Sequence, residues 1–352
     1  MSCYRPMIAI PTGERTEKGK KKYKFIGACN PDNKDLPNLL HNGAILIPCG
    51  QCTGCRLDRS REWADRMMLE LQTAKKAIFL TLTYDDKHIP KTTGIEFKGD
   101  EGEVEYHEYF TLCKKDLQDF LKRFRERKEF NDKRIRFYGC GEYGSEEYTC
   151  RPHYHLIIFG VGIDDITDKE FFRVSPKGDK YWISPLVADI WNKGQIILAN
   201  VSWETCAYVA RYVMKKLKGV DSQYYSYTNK VPEFSVMSLK PGIGYDYLRE
   251  HPDCLQLVNI PIGTEKEGLN ISLPKYYIRQ LDTPRTECSE VYVNFYDPEK
   301  YKHLKNLRKR FSDDRMLQEL FKQNRQLEEY LGIHEHNHEK AKKILNKYRN
   351  KV

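Results

Sequence analysis

Two histidines, His153 and His155, stand two apart in Pro152-His-Tyr-His-Leu-Ile-Ile-Phe159, and two tyrosines, Tyr208 and Tyr212, stand four apart in Ala207-Tyr-Val-Ala-Arg-Tyr-Val-Met-Lys-Lys-Leu217. Alternate side chains of a strand share a face, so His153 and His155 present two imidazoles side by side while Tyr154 turns away. Such a pair can fill two positions of a divalent metal. Positions four apart on a helix are neighbours, so Tyr208 and Tyr212 can reach one phosphate in turn. A phenol titrates near 10 and attacks poorly at neutral pH. Lys215 and Lys216, three and four residues beyond Tyr212, would favour the phenolate and steady charge on the phosphate. A metal would polarise the same phosphodiester as a Lewis acid. The chemistry implied is tyrosine attack on a phosphodiester, which leaves the cut strand covalently attached to the protein.

Each half of this pattern is common by itself. With ten His in the chain, a His-x-His spacing arises easily by chance. His334, His336 and His338 repeat it in a charged, helix-like tail, where residues two apart do not face each other, and are read as solvated surface. An isolated Tyr-x-x-x-Tyr more often packs a helix into a core. The neighbourhood tips both readings. Arg134-Ile-Arg-Phe-Tyr-Gly-Cys-Gly141 reads as a strand, residues 142–149 as a turn-rich connection, and 153–160 as a second strand. A hairpin centred between residues 147 and 148 sets Glu142 opposite His153 on the same face. One carboxylate and two imidazoles, with positions left open, suit Mg²⁺ or Mn²⁺ better than a closed zinc site. A slip of one residue would invert the pairing, and Glu146 and Glu147 are the alternative carboxylates.

The elements that position these groups follow from periodicity. Ile78–Tyr84 alternates and is β-branched, which predicts a strand. Residues 112–128 place Leu117, Phe120, Leu121 and Phe124 on one stripe, which predicts a helix. After the hairpin come a helix over 185–192, a strand over 195–201, and the tyrosine helix from Trp203 to Leu217 with Ser202 as N-cap. The order β-α-β-β-α-β plus one helix predicts an α+β fold: a split β-α-β unit with a central antiparallel sheet, helices on its face, the histidine strand central and the tyrosine helix across the open face.

Cys49, Cys52 and Cys55 form C-x₂-C-x₂-C. A ferredoxin run would continue with Cys at 59, but Arg59 stands there. Cys3 is a candidate fourth thiolate for structural Zn²⁺, with Cys29 and His41 as rivals. Arg56, Arg59, Arg61 and Arg66 follow on an expected helix with Trp63 and offer a phosphate-contacting surface. The expected organisation is a Cys/Arg-rich arm over 1–76, a core over 77–220, a Tyr/Pro/Gly-rich extension over 221–290 wrapping the core, and a charged helical tail over 291–352. In the extension, Lys240-Pro-Gly-Ile-Gly244 is read either as a close backbone approach to a nucleic acid or as a plain turn.

These runs, in this order, resemble the replication initiators of small single-stranded DNA phages, the Microviridae and their gokushovirus branch, within the HUH endonucleases. Phe79-Leu-Thr-Leu-Thr-Tyr-Asp85 resembles the first strand motif. Gly141-Glu-Tyr-Gly144 with Arg151-Pro-His-Tyr-His155 resembles the metal motif, and Tyr208-Val-Ala-Arg-Tyr212 with Lys215 the two-tyrosine helix. Pro48-Cys-Gly-Gln-Cys-Thr-Gly-Cys-Arg56 with Glu62-Trp63, and Met237-Ser-Leu-Lys-Pro-Gly-Ile-Gly244, resemble runs of the phage branch. Tyr154 is more polar than the usual middle residue of the histidine motif. A Cys near the start of the family favours Cys3 as the fourth thiolate. The resemblance covers about residues 1–250. It implies an HUH-type core and rolling-circle initiation on a single-stranded DNA origin. One tyrosine forms a 5′-phosphotyrosine and frees a 3′-hydroxyl for a host polymerase; the second cuts the regenerated origin, and the displaced strand is rejoined.

Composition agrees. A formal net charge of +9 suits a polyanion partner, with basic runs at Lys18–Lys24, Lys122–Lys133 and Lys302–Arg310. The 24 Tyr offer rings on which unpaired bases can stack. No apolar run reaches membrane length, so no membrane partner is expected. Eleven Cys, an odd number, point to reduced thiols and metal ligation. The compartment expected is the host bacterial cytoplasm. The tail suits DNA contact, self-association or recruitment of a host helicase; oligomeric state is not legible. Other readings are a plasmid initiator, relaxase or transposase of the same chemistry, a phosphodiesterase that uses water, and a non-catalytic single-stranded DNA-binding protein.

Overall fold

The computed structural model describes residues 6–16, 21–29, 35–98, 103–144, 150–176, 178–211, 222–257, 259–263 and 268–281, together with Cys3. These fall into two compact units, one within residues 1–59 and the other within residues 60–295. The expected tail over 291–352, with its three histidines, lies outside the described residues, as do Glu146, Glu147, Tyr212, Lys215 and Lys216.

The first unit holds strands β1 (Met7–Arg15), β2 (Lys21–Ala28) and β3 (Ile45–Ile47) with the short helix α1 (Leu36–His41). They form an antiparallel sheet in the order β2-β1-β3, over a small core of Ile8 and Ala44 backed by Leu39, Leu40 and Leu46. So little apolar burial leaves room for another source of stability.

The second unit is built on a seven-stranded sheet in the order β12-β7-β8-β4-β11-β10-β9. The strands are β4 (Ala77–Thr83), β7 (Arg136–Tyr143), β8 (Pro152–Phe159), β9 (Glu170–Val174), β10 (Lys180–Ile183), β11 (Ile196–Asn200) and β12 (Phe234–Met237). All neighbouring pairs are antiparallel. β4 and β7 therefore run in the same direction with β8 inserted between them. The chain passes from β4 to β7 through the hairpin β5 (Lys91–Lys98) and β6 (Glu103–Phe110) and the helix α3 (Lys114–Glu126). The fold is thus mixed, with a large antiparallel sheet and several helices.

Helices cover both faces of this sheet, not one face as expected. Ile78, Leu80, Leu82, Tyr154, Leu156 and Ile158 point to one side. There they bury Leu117, Phe120, Leu121 and Phe124 of α3, and Val187, Ile190 and Trp191 of α4 (Pro185–Trp191). Phe79, Tyr138, Cys140, Ile157 and Phe159 point to the other. There they meet α2 (Thr53–Ala74) through Ala64, Met67, Met68 and Leu69, and α5 (Trp203–Arg211) through Cys206, Ala207, Val209 and Ala210. The reason lies in the strands: β7 and β8 are buried along nearly their whole length, as strands with apolar residues on both faces must be. Each large side chain fully buried this way contributes about 1.5–3 kcal/mol.

Local signals end the elements where expected. Ser184 Oγ accepts the Val187 N–H at 3.1 Å, Pro185 opens α4, and Asn192 closes it in the left-handed region. Ser202 caps α5 reciprocally: its Oγ accepts the Thr205 N–H at 3.3 Å while Thr205 Oγ1 accepts the Ser202 N–H at 2.8 Å. The two outer hairpins, β5–β6 and β9–β10, were not anticipated. Residues 221–290 do supply strands, turns and short helices: α6 (Gln223–Thr228), the sheet edge β12, α7 (Tyr245–Glu250), the hairpin β13 (Asn259–Gly263) with β14 (Gly268–Ser272), and α8 (Lys275–Leu281).

The run 240–244 is a turn docked onto α2. Buried Glu70 pairs with Arg136 and accepts the Gly244 N–H, and Arg136 also donates to the Pro241 carbonyl. Gly244 has φ +80°, and a Cβ at Gly242 would meet the Tyr276 hydroxyl at 2.7 Å, so glycine is required here by packing within the protein. Arg66, expected to face phosphates, is instead buried. Its guanidinium lies between the rings of Trp63 and Tyr276, 4.2 and 3.9 Å away, and donates twice to the Ile243 carbonyl. Arg59 and Arg61 remain exposed.

Candidate metal centre and tyrosine helix

The hairpin β7–β8 pairs Glu142 with His153 and Cys140 with His155, the register expected from sequence. Glu142 Oε1 lies 2.7 Å from His153 Nε2 and 3.1 Å from His155 Nε2. The two rings stand nearly perpendicular, 5.0 Å apart. One ligand atom from each of Glu142, His153 and His155 falls within 4.8 Å of the others. Glu142 is 2 % exposed. Its burial opposes ionisation, but the hydrogen bonds and charges of His153 and His155 outweigh that and hold the carboxyl well below its usual range.

The outer nitrogens of both rings are held from behind. His153 Nδ1 is 3.1 Å from the Arg151 carbonyl oxygen, which can only accept, so Nδ1 carries the proton. A neutral His153 then turns its Nε2 lone pair toward a carboxylate oxygen, an arrangement that calls for a proton or a metal cation between them. His155 Nδ1 is 3.0 Å from Thr81 Oγ1, on the strand position directly opposite. Imidazoles oriented from behind by a carbonyl and a hydroxyl are the usual support of metal-ligating histidines, so these residues fit a divalent cation. Sequence reading had not singled out Thr81. Its signal was the alternation Phe79, Thr81, Thr83 on one face of β4.

Tyr208 sits beside this group. Its ring is 5.3 Å from that of His155 and 6.2 Å from that of Phe79, edge-on to both. Burial, then the negative charge of Glu142, push its phenol well above the usual range. α5 is tied to α2 at two points: Ser60 Oγ donates to the Ala207 carbonyl at 3.3 Å, and Trp203 Nε1 donates to Asp65 at 3.0 Å. The structure thus brings Glu142, His153, His155 and Tyr208 together, while Tyr212, Lys215 and Lys216 lie beyond the last described turn of α5.

In the first unit, Cys3, Cys49, Cys52 and Cys55 gather their sulfurs within 4.8 Å of one another. Cys29 and His41, the rivals for the fourth position, are not in this cluster. Cys3 Sγ accepts the Cys49 N–H at 3.2 Å, and Cys49 Sγ accepts the N–H groups of Gln51 and Cys52 at 3.4 and 3.3 Å. Burial resists ionisation of Cys49, but those N–H groups outweigh it and bring the thiol down to about 7; burial pushes the Cys55 thiol up. Four crowded sulfurs ionise together only beside a cation, and the donor set fits tetrahedral Zn²⁺.

Residues 77–217 match the family model of the ORF2-type replication-associated proteins. The chain is 29% identical to the replication-associated protein ORF2 of Spiroplasma virus 4, over 94% of this chain and 93% of that protein. It is 35% identical to the replication-associated protein VP4 of Bdellovibrio phage phiMH2K, over 79% and 76%. It is also 26% identical to the replication-associated protein ORF4 of Chlamydia phage 1, over 71% and 57%. No solved structure matches. With a relative of this identity spanned over three quarters of its length, and with the resemblance in the histidine, tyrosine and cysteine runs, the chain belongs to the family of phage replication-associated proteins.

Proposed function

We propose that the chain is a rolling-circle replication initiator that nicks single-stranded origin DNA by tyrosine attack and later rejoins the displaced strand. The observation that carries this reading is the packing of Tyr208 against His155, within the group formed with Glu142 and His153. The strand order β11-β4-β8-β7, with β8 between two parallel strands, supports a split β-α-β core of the HUH type within residues 77–220. Glu142, His153 and His155 would hold Mg²⁺ or Mn²⁺, which when bound polarises the scissile phosphodiester as a Lewis acid. The tyrosine Oη forms a bond to phosphorus as the bond from phosphorus to O3′ breaks. The phenolic proton leaves, the 3′-oxygen is released as a hydroxyl, and the 5′-phosphate stays on the tyrosine. Tyr208 and Tyr212 alternate in this role across a round, and Lys215 and Lys216 favour the phenolate. Such an enzyme works in the host bacterial cytoplasm, where it hands the 3′-hydroxyl to host polymerase.

Incubation of the full chain with single-stranded origin oligonucleotides and Mn²⁺, followed by intact-mass analysis, is expected to reveal a DNA adduct on Tyr208 or Tyr212. Cleavage should survive at most one of Tyr208→Phe and Tyr212→Phe and vanish in the double variant. Cleavage by the double variant would instead favour a water-using phosphodiesterase. Binding without cleavage by the unmodified chain would favour a non-catalytic single-strand binder. For Cys3, Cys49, Cys52 and Cys55 we propose a structural zinc. Native mass spectrometry is expected to find one Zn²⁺ that is lost in Cys52→Ser, and a zinc-free wild-type chain would discard the site.

A further inference from the structure

The outer hairpin β9–β10 carries features that the reaction does not use. β9 is the edge of the seven-stranded sheet and is exposed along its whole length. Phe171, Phe172 and Val174 are 60 %, 48 % and 50 % exposed. Three large apolar side chains on an unpaired edge are a hazard for a soluble protein unless something covers them. Their neighbours say what kind of partner fits. Residues 169–183 contain Lys169, Arg173, Lys177 and Lys180 against Glu170 and Asp179, a net positive segment interleaved with aromatic residues.

The register of the sheet connects this hairpin with the site. Tyr181 of β10 pairs with Arg173 of β9 on one side and Ala199 of β11 on the other; Ala199 pairs with Phe79, and Phe79 with Ile157. That row lies on the face that carries His153 and His155, one pleat away. Tyr181 and Tyr208 pack against the same core. Next to Tyr181 the ladder is irregular. Arg173 pairs with Tyr181 and Phe171 with Trp182, so Phe172 is the extra residue of a bulge. The Arg173 guanidinium lies 5.5 Å from the Phe172 ring and 5.6 Å from the Tyr181 ring. The bulge thus gathers Phe172, Arg173 and Tyr181 into one cationic aromatic group at the rim of the face that carries the site. From β8 to β9 is four strand spacings, or roughly 19 Å.

We infer that Phe172, Arg173 and Tyr181 form a stacking platform for unpaired bases of single-stranded DNA flanking the scissile phosphate. Aromatic faces take up any base, a guanidinium both stacks and meets phosphate, and neither needs a particular sequence. The inference rests on the nicking reading for its substrate. It adds a second anchoring point, which holds the strand away from the reacting bond.

The test uses the full chain and a length ladder of labelled oligothymidylates, read by fluorescence anisotropy, with the adduct assay run in parallel. Phe172→Ala and Arg173→Ala are expected to weaken binding of the longer oligonucleotides roughly tenfold each and to leave the shortest, which cannot span the face, unchanged. Phe172→Tyr should retain affinity, because the stacking face is kept. Unchanged affinity at every length would overturn the platform, as would an equal loss at every length. If the wild-type chain forms no adduct yet its affinity depends on the hairpin, the platform stands and nicking falls. If it forms the adduct yet its affinity ignores the hairpin, nicking stands and the platform falls.

Discussion

At the scale of single residues, the site is organised from behind. Glu142, His153 and His155 would be three independent side chains were it not for the Arg151 carbonyl and the Thr81 hydroxyl, which fix the orientation of the two imidazoles. Groups of this kind usually influence metal affinity as strongly as ligand geometry does. Thr81→Val keeps the shape and the strand propensity but removes the hydroxyl. It is expected to weaken Mn²⁺ binding by about 10–100-fold in a calorimetric titration; an unchanged affinity would show that His155 needs no such support. The ligands were legible in sequence because their spacing and the hairpin midpoint fix the register. Thr81 was not, because a threonine on the polar face of a strand reads the same whether or not a ring nitrogen lies behind it. Arg66 was misread for a related reason: a basic residue on a charged helix gives no sign that two aromatic rings from distant segments will enclose it.

At the scale of elements, the helix that carries Tyr208 is held by another helix and by the turn docked beneath it. Glu70 of α2 is 1 % exposed and serves Arg136 of β7 and the Gly244 N–H at once. It links the helix, the strand before the metal hairpin and the run 240–244. Removing one partner of a buried ion pair leaves the other charged and unanswered. Glu70→Gln is therefore expected to lower the unfolding free energy by about 3–5 kcal/mol, measured by urea denaturation. A midpoint equal to that of the unchanged chain would mean that the hydrogen bonds alone suffice. β4, α3, β7, β8, α4, β11 and the start of α5 were all legible from period and caps. The outer hairpins were not. β9 has no buried face, so its residues lack the alternation that marks a half-buried strand, and β5–β6 is likewise rich in polar and charged residues.

At the scale of the whole molecule, charge and composition agree with a nucleic-acid partner without locating it. No helix among the described residues is long and apolar enough to cross a membrane. The alternation of apolar residues on both faces of β7 and β8 foretold burial, but which helices would cover each face depended on contacts far apart in sequence. One consequence of the strand order remains. β8 is paired along both edges, with β4 and with β7, through every residue from His153 to Phe159, whereas β9 is paired along one edge only. Amide protons of β9 can trade with solvent through local fraying. Those of β8 are locked until the sheet itself comes apart, so the strand that bears both histidines has no partially open form in which to lose its grip on an ion.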